Sequence, residues 1–175
     1  MVFDYSPIRM TQVSCLMLSN QSSNLCIGVG DLGVVAGCCI VAEVESIALT
    51  RDIALAEMAG ARIHFRQVTT RAGLEIVRRA KARGVSVTCG VTPAHFMLSD
   101  LATVDFRTFA RLSPPLRSED DRQAVREAIG DGTVDVIASG HDPRGPEDKR
   151  LPFSDAEPGM AGAETLLAMT LSLVR

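Results

Sequence analysis

The sequence predicts an α/β fold built around a parallel sheet. Short stretches rich in Val and Ile alternate with amphipathic helical segments, which is the pattern of strands joined by helical crossovers. The polar residues that stand out fall at or just after the carboxyl ends of the predicted strands, where barrel enzymes carry their chemistry. These residues are His64, Gln67, His95, Ser113, His141 and Asp142. The pattern alone leaves open whether the sheet is doubly wound or part of a (β/α)-barrel.

The predicted elements alternate regularly along the chain. In order they are a helix over 45–58, a strand over 62–68, a helix over 72–83, a strand over 85–91, a helix that starts at 118, a strand over 134–138 and a helix over 161–174.

Local signals support each of these elements in turn. Helix formers dominate 45–58, and apolar residues alternate over 62–68. Basic residues gather at the end of 72–83, before Gly84, as the helix dipole favours. The Val-rich strand that follows ends at Pro93, which cannot continue a central ladder. Ser118 with three acids after it predicts a helix N-terminus. Val and Ile residues predict a buried strand over 134–138, and an apolar face predicts a helix over 161–174.

Residues 1–40 show no clear period, because Ser, Asn, Gly and Cys are mixed there with apolar residues. We therefore divide the chain into a poorly readable segment, 1–40, and one α/β unit, 41–175. A chain of 175 residues is long enough for one domain with a real core.

Composition argues against two classes of partner. There are 18 Lys plus Arg against 21 Asp plus Glu, so the net charge is -3 and no basic patch for nucleic acid or membrane is expected. The five cysteines are irregularly spaced without a C-x-x-C pair, which suggests a reducing compartment. Without a signal peptide or an apolar span, the chain is expected to be soluble and cytoplasmic.

Four stretches, in this order and spacing, resemble the class I dihydroorotases and the related hydantoinases and allantoinases of the amidohydrolase superfamily. They lie within about 41–175 and begin at Glu45, Val91, Ser113 and Gly159. They read E-x5-RDIALAE, VTPAH, SPPLR and GMAGAET. The resemblance implies roughly the last four strands of a (β/α)8 barrel of the TIM type, and the pieces GHDP and TCGV are most similar to a bacterial branch that lacks the catalytic Asp.

The resemblance implies a zinc site like that of these families. Its ligands come from an H-x-H motif on the first strand, a carboxylate on the fourth strand, and a His after each of the fifth and sixth strands. Zinc makes a hydroxide from water, and an Asp after the eighth strand moves the proton. The reaction is the reversible cyclisation of carbamoyl aspartate to dihydroorotate in pyrimidine biosynthesis.

This sequence departs from that pattern at most positions. No H-x-H motif occurs in it, Gln67 stands where a metal-binding His is expected, and Gly140 stands where the Asp is expected. His95 matches a retained ligand, but one imidazole does not hold zinc. We therefore expect no bound zinc and no intact catalytic residue.

The remaining candidates each have a functional and a structural interpretation. His141 and Asp142 are weak candidates for a displaced acid–base pair, in which Asp142 would replace the expected Asp two positions further on. A shift of two residues past the strand end aims a side chain differently. Ser113 stands where the resemblance implies an Asn that contacts substrate. Arg117 either binds a carboxylate with two hydrogen bonds or anchors its loop. Gly159 lies at a rim that touches substrate in active relatives.

Three hypotheses follow for function. The first is a catalytically deficient dihydroorotase-family chain that serves as a structural partner, of aspartate transcarbamoylase or of itself. The second is an active zinc-dependent amidohydrolase with an unusual or shared metal site. The third is a truncated, non-functional product.

Overall fold

The computed structural model describes residues 33–173, and side chains from residue 42. Its helices are α1 Gly33–Ala59, α2 Arg71–Ala82, α3 Pro93–Met97, α4 Glu119–Gly130, α5 Pro146–Lys149 and α6 Leu166–Leu171. Its strands are β1 Ile63–Phe65, β2 Val87–Val91 and β3 Val136–Ile137, and two 3-10 turns cover Asp100–Thr103 and Thr108–Ala110. Within this part of the chain, no helix is long and apolar enough to cross a membrane.

The three strands form a parallel sheet in the order β1-β2-β3. Consecutive strands are neighbours, and each pair is joined by a helical crossover, as in one arc of a (β/α)-barrel. Backbone hydrogen bonds continue past the strand ends, from Val68 N to Gly90 O and from Ala138 N to Val91 O. The predicted parallel α/β fold is confirmed.

The core lies between the sheet and the helices α1, α2 and α4. Residues three or four apart on each helix supply the buried stripe, and β2 faces it with alternate residues. The fully buried members include Leu74, Val77, Cys89, Val91 and Val125. The opposite face of the sheet carries His64 and the exposed Thr88, whose side chains share a hydrogen bond of 2.8 Å from Nδ1 to Oγ1.

Helix ends follow local capping rules. The hydroxyl of Thr70 accepts from Gly73 N at 3.0 Å, and the hydroxyl of Ser118 accepts from Asp121 N at 3.2 Å. Helix α3 was missed by the sequence analysis, although Pro93 at its first position is a common helix start.

Several predicted boundaries were wrong. Strand β1 covers Ile63–Phe65 rather than 62–68, and β2 begins at Val87 rather than at 85. Helix α1 begins at Gly33 rather than at residue 45, and β3 covers only Val136–Ile137. The last helix begins at Leu166 rather than at 161, because Gly162 lies against the loop after β3. A Cβ atom on Gly162 would be 2.1 Å from the carbonyl oxygen of Ser139, so this stretch is held as a turn. Of the poorly readable segment 1–40, residues 1–32 lie outside the described residues, and 33–40 belong to α1.

The Glu45 carboxylate, 13% exposed, joins three parts of the chain. Glu45 of α1 accepts hydrogen bonds from the backbone N–H and hydroxyl groups of both Thr69 and Thr70, at 2.6–3.1 Å. Arg117, only 3% exposed, donates to the same carboxylate at 3.2 Å and to the Thr69 hydroxyl at 2.9 Å. The charge is therefore neutralised and its lone pairs are used, as a buried carboxylate requires.

Removing the guanidinium should destabilise the fold. In Arg117→Met the buried carboxylate of Glu45 loses its counter-ion, and we expect a loss of roughly 3 kcal/mol in the free energy of unfolding. Urea denaturation followed by circular dichroism measures it. The matched control is Arg107→Met, which breaks an ion pair that is 70% and 72% exposed and should change stability little. Equal effects of the two changes would contradict this prediction.

Candidate functional site

Loops at the carboxyl ends of the three strands enclose a pocket with about 430 Å³ of empty space, including the part open to solvent. Strands of a parallel sheet all end at the same edge, so the residues that follow them converge there. Six of the residues proposed from the sequence line this pocket: Gln67, His95, Ser113, Gly140, Asp142 and Gly159. Arg117 and His141 are not among its lining residues.

His95 lies in α3 and is 5% exposed. Its Nδ1 is 2.8 Å from the Thr92 hydroxyl, and its Nε2 is 3.1 Å from the carbonyl oxygen of Pro114. A carbonyl only accepts, so Nε2 carries the proton and Nδ1 accepts from Thr92. Burial lowers the pKa of His95, because desolvation disfavours the imidazolium. The ring is thus neutral, and both nitrogens are already hydrogen-bonded.

Gly140, which the resemblance places where an Asp is expected, has φ +60°. A Cβ atom there would be 2.9 Å from Cγ2 of Thr92. Both the left-handed backbone and the contact with Thr92 therefore oppose a larger side chain. Gly159 is similarly constrained, since a Cβ atom on it would be 2.3 Å from the carbonyl oxygen of Asp142.

His141 and Asp142 point to different partners. Nδ1 of His141 accepts from the backbone N–H groups of Gly162 and Ala163 at 3.3 and 3.1 Å. The Asp142 carboxylate accepts from the Arg144 guanidinium at 2.7 Å. Each side chain therefore holds a loop in place, and the two are not arranged as a hydrogen-bonded acid–base pair.

Arg117 lies behind the pocket, in the ion pair with Glu45. The sequence left open whether Arg117 binds a ligand carboxylate or anchors its loop. In the structure, the carboxylate that it binds is that of Glu45. Glu45 itself was missed as a central residue. It begins the first of the four family-like stretches, but the sequence did not indicate its partners, because Thr69, Thr70 and Arg117 are far away along the chain.

Two cations that the sequence did not single out fix loops outside the pocket lining. Lys149 is buried and donates to the carbonyl oxygens of Thr108 and Arg111 at 3.0 and 3.3 Å. Arg111 donates to the carbonyl oxygens of Phe153 and Ser154 at 2.7 and 2.8 Å. Burial lowers the pKa of Lys149. Backbone acceptors leave no sequence signal, so these bonds could not be predicted.

The described residues do not fit a zinc ion. No group of three or more His, Cys, Asp or Glu side chains in 42–173 is placed to hold a metal. At the pocket the only donors of these types are His95, with both nitrogens used, and Asp142, which pairs with Arg144. Structural zinc requires four ligands and catalytic zinc three from the protein.

Solved structures define the class of protein. The chain superposes on a D-hydantoinase with a TM-score of 0.68 at 29% identity, covering 75% of this chain and 30% of that one. A D-hydantoinase (dihydropyrimidinase) from Thermus sp. gives a TM-score of 0.68 at 26% identity, covering 76% and 31%. The fold is therefore part of a TIM-type amidohydrolase barrel.

Curated relatives narrow the family. A dihydroorotase of Syntrophotalea carbinolica is 46% identical over 134 residues, which is 77% of this chain and 31% of that protein. A dihydroorotase-like protein of Pseudomonas aeruginosa is 44% identical over 131 residues, covering 75% and 31%. No family model matches the chain. The resemblance to dihydroorotases is confirmed over about three quarters of the chain, which spans about 31% of the length of these relatives.

The lowered pKa of His95 predicts a pH dependence of stability. Below the ordinary His value of 6.5, the unfolded chain binds a proton that the folded chain refuses, so this contribution to stability is lost as pH falls through about 6.5. We expect His95→Asn to weaken the pH dependence of urea unfolding between about pH 7.5 and 5.5. If that variant does not fold, NMR of the wild-type His95 ring replaces it. Protonation of the folded-state ring at or above pH 6.5 would contradict the prediction.

Proposed function

We propose that this chain is a dihydroorotase-family component that does not itself carry out zinc-dependent ring hydrolysis and that acts as a structural partner. The single observation behind this is the double hydrogen bonding of His95, to Thr92 and to the carbonyl of Pro114. A zinc ion on Nε2 would have to displace both the proton and the carbonyl. The imidazole instead ties α3 to the loop before α4.

The position of the general base supports the same proposal. Gly140 carries no carboxylate, and the neighbouring Asp142 is held by Arg144. Without a metal-bound hydroxide and without a base to move the proton, amide hydrolysis lacks both its nucleophile and its proton carrier. Residues that act as such a unit do not contribute additively, so a partial set gives little rate.

A structural role is supported by the flanks of the arc. Large apolar side chains are exposed on α1, at Ile47, Leu55 and Met58, and on α6, at Leu167 and Leu171. Exposed apolar surface of this kind marks interaction sites. We propose that a protein partner covers it, either a second copy of this chain or aspartate transcarbamoylase, in a cytoplasmic setting that keeps the buried Cys89 thiol reduced.

The pocket itself favours a second candidate, an active cyclic amidohydrolase of dihydroorotase, hydantoinase or allantoinase type. Six proposed site residues converge there, and a second chain could add ligands to a shared metal site. This candidate requires the His95 ring to exchange its bond with Pro114 for one with the metal.

Metal content and turnover distinguish the two candidates. We expect the purified chain to hold zinc well below one equivalent by elemental analysis. We also expect no ring opening of dihydroorotate above the rate without protein, because both the nucleophile and the base are missing. The dihydroorotase of Syntrophotalea carbinolica, assayed in parallel, is the positive control. Zinc-dependent turnover that His95→Ala abolishes would establish the second candidate instead.

Gly140→Asp tests whether the metal-bound hydroxide and the general base are both missing. We expect it to restore no activity, alone or together with Gln67→His, because no metal-bound hydroxide is present for it to assist. Its φ of +60° and the contact with Thr92 add strain, so the variant should also be less stable than wild type. Gly140→Ala controls for strain without charge. Hydrolysis by Gly140→Asp would show that a working metal centre exists.

The partner proposal predicts association through the exposed flank of α1. We expect the chain to form a dimer in light scattering, or to co-elute with aspartate transcarbamoylase when the two are mixed. Leu55→Glu with Met58→Glu should abolish the association, because two charges would be buried at the contact. Thr88→Glu, at an exposed position on the sheet, is the control. A monomer that does not bind that enzyme contradicts the proposal.

A further inference from the structure

We propose that the His141 ring is a pH-dependent latch on the turn 161–165, which forms one side of the pocket at the strand ends. Gly162 and Thr165 of this turn line the pocket. The neutral imidazole holds the turn closed, and protonation of the ring releases it. This inference concerns the opening of the pocket and does not depend on whether the chain hydrolyses amides.

The His141 ring accepts two hydrogen bonds at one nitrogen. Its Nδ1 accepts from the backbone N–H of Gly162 at 3.3 Å and from that of Ala163 at 3.1 Å. A ring nitrogen that accepts carries no proton, so the ring is neutral and its proton is on Nε2. His141 is exposed, so water can deliver a second proton to the ring.

Protonation is incompatible with these two hydrogen bonds. Both nitrogens of an imidazolium are donors, so Nδ1–H would point at two backbone N–H groups. Two successive N–H groups form a concave site that favours a lone pair or an anion and disfavours a cation. Gly162 is buried, and no other acceptor in the described part of the chain receives its N–H or that of Ala163. The turn must therefore move when the ring is protonated.

Contacts on both sides of the turn limit the movement. Before the turn, Gly159 N donates to the carbonyl oxygen of Arg111, and Asp142 N donates to that of Met160, both at 2.9 Å. After the turn, Met169 of α6 packs against the core. None of these contacts uses the imidazole, so they persist when the ring gains a proton. The two flanks are therefore the hinges between which the turn opens.

Few charges lie on the segments that meet at the ring. In 139–145 and 159–165 the charged side chains are Asp142, Arg144 and Glu164. Asp142 and Arg144 pair with each other at 2.7 Å, and Glu164 is exposed, where water weakens its field. Histidine changes its charge between about pH 5 and 8. The closed turn is therefore favoured at the upper end of this range and is lost as pH falls through it.

Amide hydrogen exchange tests the latch in the full chain. The protection of the Gly162 and Ala163 amides is measured by NMR between about pH 8 and 5, with correction for the pH dependence of intrinsic exchange. We expect both protection factors to fall about tenfold, because each amide loses its acceptor. The amides of Gly159 and Asp142 are internal references, since they donate to backbone carbonyls and should change little.

His141→Asn separates the hydrogen bonds from the charge. The carboxamide oxygen of Asn can accept from the same two N–H groups but does not titrate, so protection should stay at its high-pH level throughout. His141→Ala removes the acceptor, and protection should be low at every pH. The matched control is His64→Asn, which removes a titrating ring that is bonded to Thr88 on the sheet, and the turn should respond as in wild type. Circular dichroism verifies the fold of each variant.

Three outcomes would overturn the proposal. They are protection of Gly162 and Ala163 that does not change with pH, the same pH response in His141→Asn, and an equal loss at the reference amides, which would show unfolding of the whole chain. The proposed function fails by a different measurement, because zinc-dependent turnover would leave the pH response of the turn as it is.

Discussion

The Glu45 carboxylate is the interaction on which the rest of the arc depends. This carboxylate, on helix α1, accepts hydrogen bonds from the turn after β1 and from Arg117, which lies just before α4. Three residues before Arg117, the carbonyl oxygen of Pro114 accepts the hydrogen bond that Nε2 of His95 donates. A single buried anion thus fixes the helix layer, the strand-end turn and the loop that forms one side of the pocket. Such a group is stabilising only while every donor is present, because an unpaired buried charge is costly.

The pocket has the placement typical of barrel enzymes. Gly140 leaves room for Thr92, whose hydroxyl orients the His95 ring, and the ring reaches a backbone carbonyl. The absence of a side chain at residue 140 and the use of the imidazole as a structural link therefore belong together. A neutral, fully hydrogen-bonded histidine stabilises the loop better than a solvated one, because its polar atoms are satisfied in a buried place.

Two other parts of the structure are stabilised in different ways. Lys149 and Arg111 bind backbone carbonyls and so fix the path of their loops without a carboxylate. The outer surface of α1 carries the exposed apolar side chains Ile47, Leu55 and Met58. These residues are separate from those that line the pocket.

The sequence by itself determined the parallel α/β arrangement, helices α2 and α4, the strand β2, and the meeting of Gln67, His95, Ser113 and Asp142 at one edge. These depend on local periodicity, on caps such as Ser118 and on the rule that parallel strands end on the same side. Only the tertiary structure decided the pairing of Glu45 with Arg117, 72 residues apart, the two bonds of His95, and the late start of α6. The reason is physical: each depends on a backbone or side-chain partner that is distant in the chain or leaves no residue-type signal, so it exists only once the chain has folded.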